Sequence, residues 1–91
     1  MRYFVTYSGV KLPLKLVNVL SESETGNRNT HFRATYDEQE RMVLCQKLVY
    51  GELELEHRYR YYDSGVLEEA EITMGGETRQ IHFADSGKPP G

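Results

Sequence analysis

Residues 52–72, ELELEHRYRYYDSGVLEEAEI, decide the fold. Leu53, Leu55, His57, Tyr59 and Tyr61 fall on alternate positions, with Glu52, Glu54, Glu56, Arg58 and Arg60 between them. Successive strand side chains point to opposite faces, so this spacing makes one apolar-aromatic face and one charged face. A helix would scatter the same charges around its circumference, and tyrosine favours strands. The stretch therefore opens with a long strand.

Outward from it, Tyr62-Asp63-Ser64-Gly65 carries turn chemistry: aspartate bonds its own backbone and glycine accepts positive φ. Residues 66–74 run back as a second strand. Gly75-Gly76 marks a two-residue hairpin, and Glu77 to Phe83 forms a third strand. Arg58 and Arg60 are expected to lie across from some of Glu68, Glu69 and Glu71, where opposite-charge pairs contribute roughly 0.2–1 kcal/mol each.

Upstream, Tyr3, Val5 and Tyr7 alternate up to a Ser8-Gly9 break. Val10, Leu12, Leu14 and Leu16 alternate after it, predicting a hairpin whose second strand is an edge, because Pro13 cannot donate to a ladder. Residues 21–29, SESETGNRN, read as a surface loop, with Asn27, Arg28 and Asn29 as binding candidates because loops carry function. Thr30 to Tyr36 is a further strand.

Residues 37–50 admit two readings. Asp37 and Glu40 would cap a helix near 38–49 that puts Met42, Cys45, Leu48 and Val49 on one face, giving an α+β fold. Alternatively, residues 36–41 turn a hairpin and 41–50 form a strand. The hairpin is favoured by an internal echo. Tyr7-Ser8-Gly9, Tyr36-Asp37, Tyr62-Asp63-Ser64-Gly65 and Asp85-Ser86-Gly87 resemble one turn, with His31, His57 and His82 preceding the last three at near-constant spacing. The expectation is an all-β or β-dominated domain over 1–87, an antiparallel meander of six or seven strands forming a twisted sheet or open barrel. Residues 88–91 are expected to form a disordered tail.

The 91 residues make one domain, and net charge −3 with 27% charged residues points away from nucleic acid and anionic membranes. The start MRYFVT lacks a signal-peptide core and the single Cys45 builds no disulfide or zinc framework, so a cytoplasmic protein is expected.

Each sharper chemical reading meets a plainer one. Strand parity separates the three histidines and leaves only His57 on the apolar side, which argues against a metal site. Cys45 sits among Val43, Leu44, Leu48 and Val49, as a buried inert thiol does. The glutamates resemble one another too closely to divide acid and base roles, and Arg58, Arg60 and Arg79 neutralise them. Arg58 and Arg60 face away from Tyr59 and Tyr61, unlike a nucleic-acid stacking platform. No cofactor is called for, and the sequence points away from an enzyme. The expected function is non-catalytic protein interaction, with a protein partner or a second copy, through a strand edge or an aromatic patch. Arg60, Tyr61, Tyr62, Tyr59 and His57 are the candidate binding residues, and alanine at Tyr62 and Arg60 is expected to weaken partner binding with the fold intact. The alternative is a small-molecule module with an aromatic interior.

Two resemblances rest on particular residues. Tyr36–Met42 and Tyr62–Leu67 resemble the Tyr-Asp hairpin repeats of Rhs-type shells and antitoxin-like proteins. The stretches YFVTYSGVKLPLKLV, NRNTHFRATYD and VYGELELEHRYRYY are similar to a small bacterial family of unknown function. That second resemblance implies a bacterial cytosolic protein and transfers no activity.

Overall fold

A computed structural model describes residues 1–8, 12–26 and 28–84. Its elements are β1 (Arg2–Ser8), β2 (Lys15–Leu20), a one-turn α1 (Glu22–Thr25), β3 (Thr30–Tyr36), β4 (Met42–Val49), β5 (Glu52–Tyr61), β6 (Leu67–Met74) and β7 (Glu77–His82). The strands form one antiparallel sheet in the order β2-β1-β3-β4-β5-β6-β7, so it stays open, with β2 and β7 at its edges. The meander is as expected. Residues 42–49 are strand rather than helix: Asp37 uses its Oδ1 to accept the Gln39 and Arg41 backbone N–H groups, both at 2.9 Å, which closes a turn instead of capping a helix.

Two upstream expectations are corrected. The second strand starts at Lys15, after a cis Leu12–Pro13 bond, so Leu12 and Leu14 precede the strand that the alternation was expected to place them in. Its edge position is as expected. The 21–29 segment contains a helical turn where a loop was expected. Glu24 Oε1 accepts from the Ser21 backbone N–H at 3.0 Å and from its hydroxyl at 2.7 Å. Glu24 N–H donates to the Ser21 carbonyl at 3.1 Å and also meets the Ser21 side chain, which completes a Ser-x-x-Glu capping box. The tail and the Asp85-Ser86-Gly87 turn lie outside the described residues, as do Gly9 and Val10.

The core lies on one face. Phe4 pairs with Phe32, Ala34 with Cys45, Tyr59 with Ala70 and Tyr61 with Leu67, and these residues form one cluster with Met42. Burying an aromatic or aliphatic side chain contributes roughly 1.5–3 kcal/mol. Leu12, Leu14 and Leu16 pack back over this cluster, so the N-terminal hairpin covers the sheet it belongs to. On the opposite face, Arg58 lies across from Glu71 and Arg60 from Glu69, as their alternation with the aromatic residues requires.

Two of the four echoed turns, those at residues 36–42 and 61–67, are described in full and match, in a register that differs from the sequence alignment. Shifted by 25 positions, Tyr36 falls on Tyr61, Glu40 on Gly65, Met42 on Leu67 and Cys45 on Ala70. Both turns close the same way: Asp37 N–H donates to the Arg41 carbonyl and Tyr62 N–H to the Val66 carbonyl, each at 2.9 Å. Tyr36 and Tyr61 each lie under an arginine, Arg2 at 4.4 Å and Arg41 at 5.0 Å. Thus Tyr61, rather than Tyr62, is the counterpart of Tyr36.

Candidate functional site

The five residues singled out from the sequence do not converge on one surface. His57 and Tyr59 are buried at 6% and 5% exposure. Leu14 N–H donates to the Tyr59 hydroxyl at 3.2 Å, and that hydroxyl lies 2.6 Å from His57 Nδ1. The Tyr59 hydroxyl can accept from Leu14 and still either donate to or accept from His57 Nδ1, so the imidazole tautomer sets the direction of that bond. Burial pushes the His57 pKa down and that of Tyr59 up, in keeping with two neutral groups. Tyr61 donates its hydroxyl to the Met42 carbonyl at 2.7 Å, and Tyr62 donates to the Phe83 carbonyl at 2.6 Å. Arg60 keeps 62% of its side chain exposed and pairs with Glu69 at 2.6 Å and Glu68 at 3.5 Å. All five have structural work.

Cys45 stands directly opposite His57 in the β4–β5 register. The pair is not an activated thiol: Cys45 is 2% exposed, and burial pushes it up to about 11. The histidines are separated, with His57 in the core, His31 on the other face and His82 exposed beside Glu69 at 3.4 Å. One expectation is corrected here. His31 shares a parity with Arg33 and Thr35 yet is buried at 9% exposure, against the Tyr3 ring at 6.2 Å.

A more concave surface lies at the far end of β5, where the β4–β5 and β6–β7 hairpins turn. Tyr50 and Gly51 adopt φ of 51° and 79°, and Gly75 and Gly76 adopt 61° and 81°. Two-residue hairpins favour this left-handed pair because it matches strand twist, and asparagine or glycine normally fills both positions. Tyr50 is a steric exception, held in place by its backbone N–H bond to the Asn29 carbonyl at 2.6 Å. Its ring is 75% exposed. On one side it borders an open cleft of about 530 Å³ with Thr25, Arg28, Asn29 and His31. On the other it borders a cleft of about 500 Å³ with Val49, Leu53 and Gly75. Leu53 and Met74, 49% and 59% exposed, line a further small cleft together.

Arg28 and Asn29 were legible as loop candidates, whereas Asn27 lies outside the described residues. Tyr50 was not read as a site residue. Its signal was available: a bulky side chain preceding Gly51 where Gly75-Gly76 fills the sister turn. His31 was missed because strand parity says nothing of what lies on the polar face, where the Tyr3 ring sits beside it and the α1 loop and the Tyr50 tip line the same cleft.

No helix among the described residues is long and apolar enough to cross a membrane. Compared with curated proteins and with solved structures, the chain matches none. The family comparison lends no support to the Rhs-type resemblance. It does match the family of unknown function DUF6156 over residues 1–90, nearly the whole chain, and the protein belongs to that family.

Proposed function

We propose that the protein is a non-catalytic interaction domain whose contact surface is the Tyr50 end of the sheet. The observation that carries this reading is the exposure of Tyr50, Leu53 and Met74 together at two neighbouring hairpin tips. Large apolar side chains gathered at one end favour a partner that removes them from water. The core argues against the aromatic-interior alternative, since Phe32 and Tyr59, at 3% and 5% exposure, are packed by the chain's own side chains. A lone buried cysteine suits a reducing, cytosolic compartment.

Capture from host lysate with three baits tests the surface. Wild type and Arg60→Ala should retain the same stoichiometric partner, and a Leu53→Ser/Met74→Ser double variant should lose it. Loss with Arg60→Ala and retention with the double variant would move the surface to the Tyr61–Tyr62 end. If wild type self-associates in sedimentation and the double variant does not, the partner is a second copy.

A further inference from the structure

We propose that the cleft between the α1 loop and the β4–β5 tip binds a small planar aromatic molecule carrying one carboxylate or phosphate. This goes beyond the protein-contact reading; the two share the Tyr50 ring but are tested separately, because Leu53 and Met74 lie on its other side and line no part of this cleft. Three independent observations meet here. His31 lines the cleft at 9% exposure, yet its imidazole has no hydrogen-bond partner among the described residues. A buried polar group without a partner is rare in folded proteins, and a ligand would supply the missing one. Burial, with Arg33 adding to it, pushes the His31 pKa down, so the ring presents one donor and one acceptor to a ligand edge.

The second observation is charge. Arg28 lines the same cleft and closes no ion pair among the described residues. Glu24 is near enough to feel it, but that carboxyl is held low chiefly by its bonds to Ser21, with Arg28 a smaller influence. The guanidinium fork is left open to a bidentate carboxylate or phosphate. One cation and a neutral imidazole suit a ligand with one anionic group.

The third is Tyr50. The sister turn makes the same φ pair with Gly75-Gly76, so the hairpin does not need a tyrosine, and a bulky residue there is strained. Strain of this kind that the fold does not require is explained if the exposed ring stacks on a planar ligand. The cleft volume of about 530 Å³ falls in the range of small-molecule sites.

The test is an NMR titration of the ¹⁵N-labelled full chain with benzoate and with AMP, using adenosine and inorganic phosphate as half-ligands. Benzoate or AMP should saturably shift the Arg28, Asn29, Tyr50 and Gly51 amides at millimolar concentration or below, and the stronger of the two identifies carboxylate or phosphate. The half-ligands should bind at least about tenfold more weakly, and Arg28→Gln should cost the better probe about tenfold in affinity. Tyr50→Gly should abolish the shifts while raising the thermal midpoint, which a ring needed for packing would not do. The proposal is overturned if neither probe produces saturable shifts at these amides, if both variants bind as wild type does, or if Tyr50→Gly lowers the midpoint.

Discussion

At the β4–β5 tip the chain turns through Tyr50 and Gly51, and at the β6–β7 tip, 25 residues on, through Gly75 and Gly76. The φ values differ by no more than 10° at either position, 51° against 61° and 79° against 81°. What differs is a phenol ring. At one tip glycine does what the backbone asks; at the other a side chain unsuited to that backbone is kept in solvent beside a buried histidine and an arginine. Where two copies of one device sit in the same molecule, the copy that departs from local preference separates what the fold needs from what something else does.

The comparison can be broken at several depths. The largest effect is in the core, where Met42 and Leu67 are counterparts, buried at 6% and 8% exposure. Alanine at either should destabilise by about 2–5 kcal/mol, and the two losses should be similar in urea unfolding. A loss at one position only would mean that the halves share turns without sharing a core. At the tips, Gly75→Tyr should destabilise by about 1–2 kcal/mol and Tyr50→Gly should stabilise by about 1 kcal/mol, the left-handed penalty exchanged. Equal stability in both variants would remove strain from the argument.

Acid separates the halves next. His57 stands where the first half has Phe32, and burial lowers its pKa from an ordinary value near 6.5. Above that value both folded and unfolded chains leave the ring neutral, and stability is unaffected. As pH falls through about 6.5 the unfolded chain takes up the proton first, so stability declines towards the lowered folded value, with His31 adding in the same direction. Unfolding followed between pH 7 and pH 5 should show this slope, and His57→Phe should reduce it. The smallest effect concerns Glu40, at φ 61° where its counterpart Gly65 has 91°. Glu40→Gly should gain a few tenths of a kcal/mol, because the ion pair it gives up, to Arg2 at 2.5 Å, is mostly exposed.

The sheet was largely legible because its signals are periodic. Alternation in 52–61, the Gly-Gly turn and the strand parity of 30–36 each state a local preference that the tertiary structure kept. The misplaced β2 strand shows the limit: Val10, Leu12, Leu14 and Leu16 alternate as a strand would, yet Leu12 and Leu14 cover the core rather than pairing with β1. Alternation reports which side chains seek burial, not whether a ladder or a lid buries them. The candidate site was legible only at Arg28 and Asn29. His31 and Tyr50 are separated in sequence by a whole hairpin, and pattern within one strand cannot report that the α1 loop and a distant tip enclose the same cleft. For Arg60, Tyr61 and Tyr62, the basic-aromatic interleaving was visible, but their bonds to Glu69, Met42 and Phe83 were not.

The bond from the Leu14 N–H to the Tyr59 hydroxyl spans 45 positions. From β4 onward each strand pairs with the one before it, so that part of the chain can assemble in the order in which it is synthesised. The N-terminal hairpin cannot finish with it. It precedes β3 to β7 in the chain, and the aromatic surface it must cover does not exist until β5 and β6 have been made. The hairpin is made ahead of the strands it covers and completes its contacts after them.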